Sequence, residues 1–116
     1  MGVNAEVLLN AKVTQGSVAD NATATATVSA TGSTTHGILG VHADYSAAPA
    51  AGYKTITVKK GSTTLVIFRH DFALGPAFYP LPSAVWGDAG GAVSAELEAS
   101  GTGGVTGRIA LFTFSK

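Results

Sequence analysis

Residues 78–114 read FYPLPSAVWGDAGGAVSAELEASGTGGVTGRIALFTF, and the fold follows from how this stretch alternates. An aromatic, proline-rich approach leads into two apolar runs, residues 92–99 and 105–114, joined by Ser100-Gly101-Thr102-Gly103-Gly104. In the first run Val93, Ala95, Leu97 and Ala99 share one face, and Ser94, Glu96 and Glu98 share the other. That pattern predicts an antiparallel strand wet on one side. In the second run Val105, Ile109 and Leu111 fall on one face, while Ala110, Phe112 and Phe114 fall on the other. A strand apolar on both faces has to be covered twice, which places it centrally or against a partner chain. The five-residue connection has glycines free to take positive φ, and predicts a hairpin loop.

Working back toward the N-terminus, the same alternation recurs in short pieces. Residues 5–13 predict a first strand, with Val7 and Leu9 on one face, and Gln15-Gly16-Ser17 predicts a turn. Residues 22–30, ATATATVSA, alternate strictly between hydroxyl and small apolar side chains, as an outer strand with one face in water would. A longer strand is predicted over residues 36–46, with Leu39, Val41, Ala43 and Tyr45 inward or against a neighbour. Pro49 and Gly52 frame a loop. Residues 53–60 and 62–70 predict a second hairpin turning at Lys60-Gly61-Ser62. Its second arm is apolar on both faces through Leu65, Val66, Ile67 and Phe68, which predicts another central position. Pro76, Pro80 and Pro82 remove three backbone donors, so residues 71–91 predict an edge or extended loop with a short strand at 77–81. The total is seven or eight strands and no helix, an all-β antiparallel β-sandwich of jelly-roll-like form.

Composition bounds the rest. A chain of 116 residues with 46% apolar and 12% charged side chains predicts one folded domain over residues 1–116. Seven basic and seven acidic residues cancel. No basic face for nucleic acid is implied, and near-zero charge favours association. The absence of cysteine excludes disulfides and thiol chemistry. Residues 1–13 lack the basic and apolar regions of a signal peptide, and no apolar run has the roughly 20 residues of a membrane helix. Met1-Gly2 opens like a myristoylation motif, but Glu6 stands where Ser or Thr is required.

Catalytic constellations are not legible. His36 and His42 are six residues apart on one predicted strand, on one face but roughly 20 Å distant, too far to chelate as a pair. A metal-assisted hydrolase would have to gather His42, Asp44, His70 and Asp71 from two strands. No serine stands in a Gly-x-Ser-x-Gly elbow, and Glu96 and Glu98 read as solvated charge. Gly101–Gly104 precede a strand and do not open a helix, so they do not form a phosphate loop. The residues predict no enzyme, no cofactor and no metal. What stands out is the concentration of Phe72, Phe78, Tyr79 and Trp86 in a proline-braced stretch, either a cap on one end of the core or a binding surface: a subunit interface anchored by Trp86 or, alternatively, a sugar-stacking platform built from Tyr79 and Trp86.

Three segments, TITVKKGSTTLVIF (residues 55–68), FYPLPSAVWGDAGGA (78–92) and VSAELEASGTGGVTGRIALFTF (93–114), together resemble the small all-β virion proteins of tailed bacteriophages, of the capsid decoration or cement type. The likeness spans residues 50–114 and lies in the order of strand pair, proline and aromatic bridge, alternating strand, Gly-rich loop and closing strand. It implies a jelly-roll-like homotrimer, made in the host cytoplasm and placed on the capsid surface of the virion. There it would contact the major capsid protein or other virion proteins without catalysis, nucleic acid or membrane. The expected interface is Phe78, Tyr79, Trp86, Phe112 and Phe114. A carbohydrate-binding module, or an adhesion protein of the tail or fibre, is the alternative.

Overall fold

The computed structural model of the protein describes residues 12–16 and 18–116. Of the strand expected over residues 5–13, all but Lys12 and Val13 lies outside the described residues. Among the described residues nine strands run in order: β1 (Lys12–Gln15), β2 (Ala19–Asp20), β3 (Ala24–Val28), β4 (His36–Tyr45), β5 (Tyr53–Lys60), β6 (Thr63–Asp71), β7 (Ala77–Trp86), β8 (Val93–Leu97) and β9 (Thr106–Ser115). The two-residue β2 and β1 both pair with β9 and together form one interrupted edge. Eight strand positions thus make two packed antiparallel four-stranded sheets, ordered β1/β2-β9-β4-β7 and β3-β8-β5-β6. The expected β-sandwich is present.

The ladders are nested. β5 pairs with β6, β4 with β7, β3 with β8, and β1 and β2 with β9. A single long hairpin rolled onto itself has this pairing, which is the jelly-roll topology. Further ladders from β4 to β9 and from β5 to β8 complete each sheet.

Local sequence explains most of the elements. In β3 the alanines and Val28 are buried while Thr25 and Thr27 face water, as the strict alternation requires. In β5 the inward Ile56 and Val58 are fully buried, and Gly61 turns the chain into β6 at φ +53°. Val93, Ala95 and Leu97 of β8 meet Ile109 and Leu111 of β9 across the core. A single 3-10 turn, Phe72–Leu74, follows β6, its first turn capped by the Asp71 carboxylate accepting from the Ala73 N–H at 3.0 Å.

Four expectations are corrected. Residues 92–99 and 105–114 do not form a hairpin: β8 and β9 lie in different sheets, and the Gly-rich loop carries the chain across the sandwich. The edges of β8 are already taken by β3 and β5, so β9 finds its ladder partners in the opposite sheet. The arm of residues 64–70 is not central, because β6 pairs with β5 alone and forms the edge of its sheet. The short strand expected at 77–81 extends to ten residues, since Pro80 and Pro82 lie in an edge strand where missing donors are tolerated. Finally, a register shift between Ile38 and Gly40 inserts Leu39 as a bulge in β4. The bulge reverses the alternation, so His36 faces inward and His42 outward, on opposite faces of one strand.

Candidate interaction surface

The outer face of the β1/β2-β9-β4-β7 sheet gathers most of the aromatic side chains singled out from the sequence. In β9 the inner face is Ile109, Leu111 and Thr113, all buried, so Arg108, Ala110, Phe112 and Phe114 point outward. Register then sets their neighbours. Phe112 lies between Val13 of β1 and Gly40 of β4, and Gly40 lies opposite Pro80 of β7. Phe114 lies beside Gly37, which lies opposite Trp86. Phe78 stands opposite His42, with ring centroids 6.5 Å apart.

Two glycines make these rings converge. Gly40 carries no side chain between β9 and β7, so Phe78 and Phe112 meet edge to face across β4 at 5.6 Å. At Gly37 a Cβ would come within 2.8 Å of the Trp86 ring, so the indole packs directly on the backbone there. Lys116 Nζ lies 4.3 Å from the same ring's centroid, a cation–π contact. The result is a shallow apolar band across four strands. Phe78 is 57% exposed and Val13 50% exposed along it. One end of the band is polar. Arg108 donates to both oxygens of Asp44, from Nε at 3.2 Å and from Nη2 at 3.0 Å. With His42 and Gln15 this pair lines a cavity of about 210 Å³.

Tyr79 departs from the expected set. As the strand neighbour of Phe78 it points to the other face, inside the sandwich. Its ring stacks on Phe68 at 4.6 Å and 12°. Its hydroxyl donates to His70 Nδ1 at 3.0 Å, while His70 Nε2 donates to the Gly75 carbonyl at 3.1 Å. The carbonyl can only accept, which puts the imidazole proton on Nε2. Tyr79 is therefore a packing residue at the open side of the core. A stacking platform shared by Tyr79 and Trp86 is not formed, since one ring faces in and the other packs on Gly37 and Lys116.

The histidines and carboxylates expected as alternative chemistry are dispersed. His36 is buried and bridges two segments, accepting from Ser115 Oγ at 2.6 Å through Nδ1 and donating to the Ser29 carbonyl at 3.1 Å through Nε2. His42 lies on the outer face and His70 between the sheets. Among the described residues no three His, Asp or Glu side chains converge. Glu96 pairs with Lys59 at 2.9 Å, and Asp71 is occupied in capping. At the far end of the sandwich Glu98 accepts from the Thr55 N–H at 3.0 Å and lies 3.6 Å from the buried Lys54 ammonium. The Tyr45 hydroxyl donates to the Glu98 carbonyl. Burial first, and the Glu98 carboxylate second, push the Tyr45 phenol well above its ordinary 10.0.

Sequence reasoning found Phe78, Trp86, Phe112 and Phe114 but missed Val13, Gly37, Gly40 and Pro80. The glycine pair at 37 and 40 is visible in the sequence, but its meaning depends on which strands flank β4. Comparison of the chain with protein-family models, curated proteins and solved structures returns no match.

Proposed function

We propose that this protein is a structural virion protein of a tailed bacteriophage, of the capsid decoration or cement type, which self-associates as a homotrimer and stabilises the shell. One observation carries the reading: an uncovered apolar band of Val13, Phe112, Phe114, Phe78 and Pro80 on a rigid four-stranded sheet. Contiguous apolar surface rimmed by polar groups is the usual mark of a protein contact. Burying it supplies about 25 cal/mol per Å² before the costs of association. The zero net charge leaves little long-range repulsion between copies or against a shell. The jelly-roll topology supports the reading by analogy alone, since such sandwiches also serve lectins and enzymes. On this reading the protein works on the capsid surface, contacts the major capsid protein or another virion component, and carries out no reaction.

The test is whether the chain stays with intact particles through gradient sedimentation, at a fixed copy number per shell, and forms trimers when purified. Phe78→Asp should release it from particles and leave its melting temperature unchanged, since the ring is mostly in solvent. A purified chain that is monomeric at micromolar concentration and absent from particles would overturn the reading.

A further inference from the structure

β6 has the composition of a buried strand and the position of an exposed one. Its first six residues, Thr63-Thr64-Leu65-Val66-Ile67-Phe68, carry no charge and no proline. Among the described residues it pairs with β5 alone. Its inward side chains Val66 and Phe68 are only half-buried, and Ile67 on the outer side is 59% exposed. Outside the β5 ladder, no backbone N–H or C=O of residues 63–71 has a hydrogen-bond partner among the described residues.

The other sheet edges are guarded by the means that proteins ordinarily use. β7 carries Pro80 and Pro82 within its length, each without an N–H. β1 and β3 are four and five residues long among the described residues. β6 runs for nine residues, with neither device over its apolar part.

We propose that this edge pairs with β6 of a second copy, antiparallel about a twofold axis, joining two four-stranded sheets into one of eight strands. An antiparallel strand edge is complementary to itself, so a twofold pair satisfies both copies at once and closes the contact. Residue chemistry selects the register. Centring the pair on Arg69 would set two guanidinium groups against each other. Centring it on Ile67 would draw in Leu65, which the shift against β5 makes a bulge. Centring on Phe68 uses only the regular residues 66–70. It sets Phe68 against the partner's Phe68 on the inner side, Ile67 against the partner's Arg69 on the outer side, and Val66 against the partner's His70. No like charges oppose, since Arg69 faces an isoleucine and His70 a valine. The half-covered inner side of each strand gains a neighbour. β6 belongs to the sheet opposite the Phe112 band, so this contact stands apart from the one proposed for the shell.

The cysteine-free chain makes the register directly testable. Facing residues of an antiparallel pair have Cα atoms about 4.5–5.5 Å apart, within the span a disulfide accepts. Full-length Ile67→Cys and Arg69→Cys chains, mixed and oxidised, are expected to form a mixed covalent dimer in excess over either chain alone. Ile67→Lys, which places an ammonium beside the partner's Arg69, should weaken dimerisation at least tenfold while leaving the far-ultraviolet circular dichroism of the chain unchanged. Absence of the 67–69 cross-link above the background of Ile67→Cys mixed with Phe78→Cys would overturn the proposal. So would self-association of Phe78→Asp chains that a further Ile67→Lys leaves unchanged. Loss of particle binding in Phe78→Asp with the 67–69 cross-link intact would separate the two contacts.

Discussion

β6 and β9 carry the same sequence pattern and receive different treatment. Both are apolar on two faces, β6 through Leu65, Val66, Ile67 and Phe68, β9 through Ile109, Leu111, Phe112 and Phe114. β9 is flanked by β1 and β2 on one side and β4 on the other, and its inner residues Ile109, Leu111 and Thr113 are buried. β6 has β5 on one side and no strand among the described residues on the other, and no side chain in it is fully buried. A two-sided apolar pattern thus states that a strand needs covering without stating by what. In β9 the fold supplies the inner cover and leaves the outer aromatic band partly exposed. In β6 it leaves the edge itself.

The largest test of this contrast is truncation on the two inner faces. Leu111→Ala removes a fully buried side chain and should cost about 2–5 kcal/mol in urea unfolding. Val66→Ala, half-buried at the edge, should cost about 1 kcal/mol or less. Equal losses would mean that β6 is as well enclosed as β9, and the comparison would fail.

A smaller effect of opposite sign is expected at Thr113. Its hydroxyl is buried near the end of β9 with no hydrogen-bond partner among the described residues, so the near-isosteric Thr113→Val should stabilise the protein by about 1 kcal/mol. Thr64→Val, exposed on β6, should stay within about 0.5 kcal/mol of the parent. The urea midpoints of the two variants measure the difference.

Tyr45 links the two regions, lying opposite Gly107 of β9 and packing edge to face on Phe72, just after β6, at 4.8 Å. In the unfolded chain a phenol releases its proton near pH 10. Folded Tyr45 holds its proton to higher pH, because burial and the Glu98 carboxylate disfavour the phenolate. Above pH 10 the unfolded state therefore loses a proton that the folded state keeps. The stability that Tyr45 contributes is complete below pH 10 and declines as pH rises beyond it. Tyr45→Phe should flatten that alkaline decline in a series of melts, and an unchanged slope would show that the phenol is not its source.

Much of the strand inventory was legible because period-two alternation is a local property. The alanines of β3, Ile56 and Val58 of β5, and Val93, Ala95 and Leu97 of β8 all lie on the faces their spacing predicts. The turn at Gly61 was equally local. The bulge at Leu39 was not, and it reversed the predicted relation of His36 to His42. Nor was the route of residues 100–104, since a glycine-rich loop of that length permits a hairpin and a crossover alike. The aromatic face was half legible: Phe78, Phe112, Phe114 and Trp86 share it, while Tyr79, next to Phe78, turns inward to Phe68 and His70.

By itself the sequence determined which segments are extended, which side chains in most of them avoid water, and that its basic and acidic residues cancel. Those properties reside in neighbouring residues and in composition. Only the tertiary structure decided that β8 and β9 part into different sheets, that β6 stands at an edge, and that Gly37 and Gly40 lie beneath the rings of other strands. The physical reason is that an antiparallel ladder needs a partner edge, and which edges remain open depends on every other strand in the fold.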